Sequence, residues 1–140
     1  MLQYDLEIEQ GGTFTLPLVW QNSSKQAIDI TGRSARMHVR ASHDSSVILV
    51  ELTDANSRIT LGGVAGTIVP KLTAEETATI TWISAVYDLE LFYDDSGVEV
   101  VDKIIRGNIT VIPEVTRVQD VTELTPITFI TANTNMGVFG

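Results

Sequence analysis

No cysteine occurs in the 140 residues, which excludes a disulfide framework, a thiol nucleophile and a zinc–thiolate centre. Cations are the next scarcity: 9 Lys and Arg stand against 18 Asp and Glu, for a formal net charge of -9. Recognition of a phosphate backbone needs a basic face, so no nucleic-acid partner is expected, and the acidity serves solubility. Long apolar runs are missing too. None approaches the roughly 18 residues that span a bilayer as a helix. The amino-terminal MLQYDLEIEQ has no basic region leading into an apolar stretch, so neither membrane nor secretory leader is expected. The sequons at Asn22 and Asn108 therefore carry no weight. There is no phosphate-binding glycine loop, dinucleotide fingerprint or nucleophile elbow, so no catalytic residue, no cofactor and no enzyme activity are assigned.

What the chain does have is a hydrophobic period of two. Leu6 and Ile8, with Tyr4 ahead of them, alternate with Asp5, Glu7 and Glu9; Phe14, Leu16, Leu18 and Trp20 alternate with Thr13, Thr15, Pro17 and Val19. Ala35, Met37 and Val39 alternate with Arg36, His38 and Arg40. This is the signature of strands with one face in a core and the other in water. Pro17 cannot donate to a ladder, which predicts an edge or a bulge there. The unbroken run Val47, Ile48, Leu49, Val50 predicts a fully covered strand. Further strands are expected over 59–61, 67–72, 87–93, 98–105 and 108–112, separated by Gly, Asn and Asp turns. Strands at this spacing indicate an all-β, immunoglobulin-like antiparallel β-sandwich. The expected core comprises Leu6, Phe14, Leu16, Leu18, Trp20, Met37, Val39, Leu49, Ile68, Leu89, Leu91, Ile109 and Val111.

One short helix interrupts the pattern, opened by a capping box with Thr73 at N-cap and Glu76 at N3. Asp94-Asp95-Ser96-Gly97 predicts a hairpin loop with Gly97 left-handed. Gly107 predicts a bulge or bend, and Pro113 ends ladder donation. The sandwich domain is thus expected over 1–117, with residues 118–140 as an extended C-terminal arm.

That arm is the most unusual stretch. It has no Lys or Arg and only Asp120 and Glu123 as acids, yet it carries Val118, Val121, Leu124, Ile127, Phe129, Ile130, Met136, Val138 and Phe139. Disordered tails are charged and poor in aromatics, and this one is neither. Its composition predicts docking on another subunit, with Val121, Leu124, Ile127, Phe129, Ile130, Met136, Val138 and Phe139 as partner-binding residues. The alternative is an extra edge strand folded back on its own sheet.

Elsewhere the candidate chemistry is thin. Asp88, Glu90, Asp94 and Asp95 invite a calcium site, but Asp88 and Glu90 alternate with Tyr87, Leu89 and Leu91, so the outer side of a strand accounts for them and no metal is assigned. His38 and His43 have no nucleophile nearby in sequence. Trp20 and Trp82 could form a sugar-stacking platform, but Trp20 is in phase with Phe14, Leu16 and Leu18, which favours burial.

The blocks YDLEIEQGGTFTLPLVWQ, IDITGRSARMHVR, GTIVPKLTAEET, VYDLELFYDDSGVEVV and GNITVIPEVTR occur in an order that resembles the amino-terminal immunoglobulin-like domain of phage baseplate upper proteins. The resemblance covers about residues 4–117 and not the arm. It implies a non-enzymatic structural part of a bacteriophage virion, made in the host cytoplasm and assembling in the tail, baseplate or fibre-attachment region with other virion proteins. A symmetric homo-oligomer is expected, a trimer first and a hexamer second. A capsid or neck decoration protein, and a carbohydrate-binding or adhesion module, are the alternatives.

Overall fold

The computed structural model describes residues 1–116. In chain order the elements are β1 (Leu2–Gln3), β2 (Leu6–Glu9), β3 (Phe14–Thr15), β4 (Leu18–Val19), β5 (Ser34–Arg40), β6 (Val50–Thr53), β7 (Ile59–Leu61), β8 (Thr67–Leu72), the helix α1 (Ala74–Ala78), β9 (Ser84–Asp95) and β10 (Val98–Ile112). A single 3-10 turn lies between β7 and β8 at Gly63–Ala65. One sheet has the order β1-β10-β9-β5-β6, with β2 also on β10; in the other, β3, β4 and β7 all pair with β8. The architecture is the expected all-β sandwich with one short helix.

The alternation read from the sequence places the core between the sheets. On β5 the pattern runs through buried Ala35, Met37 and Val39; on β9 through Ala85, Tyr87, Leu89 and Leu91; on β10 through Ile105, Ile109 and Val111. Phe14, Ile59, Ile68 and Leu72 close it from the second sheet. Leu18, Trp20 and Leu49, expected inside, are only partly buried against this core, because each stands at an open margin of a sheet. Tyr4, expected in phase with Leu6, is 53% exposed.

Pairing is antiparallel except at the amino terminus, where β1 and β2 both run parallel to β10. Pro17 behaves as expected. It splits one edge strand into β3 and β4, while the Leu16 amide still donates to the Pro70 carbonyl at 2.9 Å. The Val47–Val50 expectation is corrected. Val47 is 62% exposed and Ile48 38%, and the strand starts only at Val50, opposite Val39. β5 ends one residue later at Arg40, so Val47 and Ile48 lie beyond the last partner available to them, and β6 is an edge strand rather than a covered one.

A second correction concerns residues 98–112, which form one continuous strand. Its irregularity falls between Lys103 and Ile105, not at Gly107. Gly107 sits opposite Tyr87 in regular register, and a Cβ there would lie 2.0 Å from the Tyr4 carbonyl oxygen. The glycine therefore serves a close approach of the amino-terminal segment. Tyr87 fixes the same crossing, its hydroxyl donating to the Tyr4 oxygen at 2.6 Å. Burial, aided by the nearby Asp5 carboxylate, holds that phenol well above its usual pKa.

The β9–β10 hairpin closes on Ser96 (φ 54) and Gly97 (φ 89), the double left-handed conformation that suits a two-residue loop between twisted strands. The capping box also forms as read: Thr73 Oγ1 accepts from the Glu76 amide at 3.1 Å, and Glu76 Oε1 accepts from the Thr73 amide at 2.8 Å. From this helix the fully buried Thr77 hydroxyl donates to the Gly12 carbonyl at 2.8 Å and accepts from the Gly11 amide at 3.0 Å. The helix thereby pins the turn that carries the chain from one sheet to the other.

Candidate functional site

Two surfaces stand out, and the first is a charge ladder across the outer face of the larger sheet. Register sets Arg36 of β5 opposite Glu90 of β9, and Glu90 opposite Lys103 of β10. Arg36 donates to Glu90 at 2.5 Å and to Glu99 at 2.8 Å, with its guanidinium 4.2 Å above the Phe92 ring. Lys103 pairs with Glu90 and lies 3.4 Å from Asp88. Glu90, expected on an open strand face, is instead only 8% exposed, because these long cationic stems lie over it. Burial alone would raise its carboxyl pKa. The hydrogen bonds from Lys103 and Arg36 together outweigh that effect and hold it below the usual range.

The ladder is architectural and makes a pH-dependent contribution. Since the folded-state pKa of Glu90 is depressed, its stabilisation is present above the unfolded carboxylate range near 4.5 and is lost as pH falls through the folded value. Glu90→Gln is expected to cost about 1–3 kcal/mol at pH 7. Urea unfolding of both proteins at pH 7 and pH 3 checks this: the gap should narrow at the lower pH, and an equal gap at both would refute it.

One rung along, His38 lies between Glu51 and Arg40, with Nε2 3.2 Å from the carboxylate and Nδ1 3.2 Å from the guanidinium. A guanidinium only donates, so Nδ1 accepts and Nε2 carries the hydrogen towards Glu51. His38 and His43 line one hollow with Arg40, Asp88 and Arg106. No Ser, Thr or Cys nucleophile lines it. Asp94 accepts from the Gly97 amide at 3.1 Å, a hairpin contact. Among the described residues no group of three or more His, Cys, Asp or Glu is arranged to hold a metal ion. Trp20 and Trp82 are both partly buried against the core and line separate hollows, so they share no stacking platform.

The second surface is the side of the sandwich flanked by β1 and β2 in one sheet and by β3 and β4 in the other. Among the described residues, none of these four strands has a neighbour on its outer edge. Near β2 and β3 this side forms a hollow of about 700 Å³ with Asp5, Glu7 and Glu9 in its lining. Near β1 and β4 it narrows to about 320 Å³ between Leu2, Leu18, Val19, Trp20 and Ile104. Leu2 is 58% and Val19 54% exposed. No charged side chain lines this apolar end.

Sequence reading missed this groove, although a signal was there: Val19 is an apolar residue on the water phase of its strand. Ile104 gave no signal, because the β10 irregularity that turns it and Ile105 to the same side follows from pairing. The arm residues Val121, Leu124, Ile127, Phe129, Ile130, Met136, Val138 and Phe139 lie outside the described residues.

No model of a known protein family matches the sequence, and no curated protein matches it. Among solved structures there is a match to the N-terminal domain of phage TP901-1 ORF48. It is 10% identical, with a TM-score of 0.45, and covers 79% of this chain and 98% of that one. The chain is similar to a phage domain.

Proposed function

We propose that this chain is a non-enzymatic structural component of a bacteriophage virion, acting in the tail, baseplate or fibre-attachment region. It joins copies of itself, and other virion proteins, through the arm at 118–140. The observation that carries the assembly role is the apolar groove between two open sheet edges, on a chain with a formal net charge of -9. Exposed apolar surface beside unpaired strand edges is what strand addition by a partner uses, and the same chain ends in an apolar, nearly uncharged segment. The virion setting is what the order of the sequence blocks implies.

Sedimentation velocity on the full chain and on residues 1–117 tests the assembly role. The full chain should form a symmetric oligomer, with a trimer the first expectation. The shortened chain should sediment as a single copy and melt where the full chain melts at concentrations too low for assembly, since the described core is complete by Val111. A shortened chain that unfolds, or that assembles as before, would defeat the proposal.

A further inference from the structure

We infer that the groove between β1 and β4 is the seat for the uncharged end of the arm, residues 124–139, of a second copy of this chain. The inference rests on the assembly role above and adds to it where the arm goes and whose arm it is.

Chemical fit comes first. The groove presents Leu2, Val19, Trp20 and Ile104 beside the uncharged Gln21 and Asn22, with no charged side chain in its lining, while the chain as a whole carries twice as many acids as Lys and Arg. From Leu124 to Gly140 the arm has no charged residue either. A charged peptide would lose hydration there with no counter-charge to gain, whereas an uncharged apolar one loses nothing polar beyond its backbone. That backbone finds donors and acceptors on the open edges of β1 and β4, as strand addition requires. Within the arm, Thr128, Phe129, Ile130 and Thr131 are β-branched or aromatic, the residue types that strands favour.

The path of the chain selects the second copy. The described chain leaves the sandwich beside Gln10, where the Gln10 amide donates to the Ile112 carbonyl at 2.9 Å and the Glu114 amide donates to Gln10 Oε1 at 3.0 Å. Leu2 stands opposite Ile105, seven residues back along β10 from Ile112, roughly 23 Å away at strand spacing. To reach the groove of its own domain, the arm would first have to cover the stretch lined by Glu9, Glu7 and Asp5. The residues available for that stretch are 117–123, in which Arg117 is followed by Asp120 and Glu123. Past Arg117, both charged residues of the segment would then face an acidic lining. An arm arriving from another copy enters at the apolar end and avoids the acidic stretch.

Two full-length variants provide the test. Leu2→Asp with Val19→Asp spoils the groove at exposed positions and leaves the arm intact. Phe129→Asp with Ile130→Asp spoils the arm and leaves the groove intact. Each alone should sediment as single copies at concentrations 100-fold above those at which the natural chain assembles, and the groove variant should melt where the dissociated natural chain does. An equimolar mixture should form a two-copy species, because one sound arm then meets one sound groove. A mixture that stays monomeric would place the arm on its own domain and overturn the inference. A groove variant that assembles normally would also overturn it while leaving the assembly role standing. If the arm variant assembles normally, or the natural chain never does, both fall together.

Discussion

Leu89→Ala is expected to lower stability by about 2–5 kcal/mol, which corresponds to a fall of roughly 8–20 °C in melting temperature for a domain of this size. Leu89 has no solvent exposure and stands at the centre of the larger sheet, opposite Met37 of β5 on one side and Ile105 of β10 on the other. Both neighbours are themselves 1% exposed. Strands held by ladders on both sides cannot close in on the space left by three lost carbon atoms, so the cavity persists and adds to the lost transfer energy. Against a typical total of about 5–15 kcal/mol, this single change removes a large share. Urea and thermal unfolding measure it, with Val98→Ala as a control at a 65% exposed position of the same sheet. A Leu89→Ala protein within 0.5 kcal/mol of the natural one, roughly the range of surface substitutions, would mean that the strand phases are wrong.

Gly107→Val is expected to be comparably severe, at about 3 kcal/mol or more, through a different cause. The first side-chain carbon would sit 2.0 Å from the Tyr4 oxygen and 2.7 Å from its carbonyl carbon, both backbone atoms, so the amino-terminal crossing has to move. With it go the Tyr87 hydroxyl bond to Tyr4 at 2.6 Å, the Tyr4 amide bond to Arg106 at 2.8 Å and the Asn108 amide bond to Asp5 at 3.0 Å. Three hydrogen bonds at about 1 kcal/mol each, plus the strain of overpacking, give the estimate. Amide exchange is the sharper readout. Tyr4 should lose protection in the variant while Met37 and Leu89 keep theirs under native conditions. Unchanged exchange at Tyr4 would show that the segment does not depend on this approach.

The contrast between these two residues shows which parts of the fold could be read in advance. Leu89 was legible because burial imposes a period on its own strand: Tyr87, Leu89 and Leu91 must share a face, whatever lies opposite. The same logic gave the edge break at Pro17, the hairpin at Ser96 and Gly97, and the capping box at Thr73 and Glu76. Each of those is a contest between neighbours in sequence, over a missing amide, a left-handed backbone or a helix end. The blocks that resemble phage baseplate proteins are made largely of such turn and core residues.

The amino-acid order alone therefore decides that this is an acidic, cysteine-free, all-β chain with a defined set of inward-facing positions and an apolar carboxy-terminal segment. Tertiary structure alone decides what depends on residues far apart in the chain. The approach of Tyr4 to Gly107 turns a presumed bulge into a contact requirement. The end of β5 at Arg40 leaves Val47 and Ile48 without a partner, despite their strand propensity. The stems of Arg36 and Lys103 cover Glu90, which its own strand would place in water. Parallel pairing of β1 with β10, together with the irregularity at Ile104, brings Leu2 beside Val19 and Trp20 and creates the apolar groove. Local periodicity reports which face of a strand is dry, but not which strand lies next to it, and a binding surface is made by that adjacency.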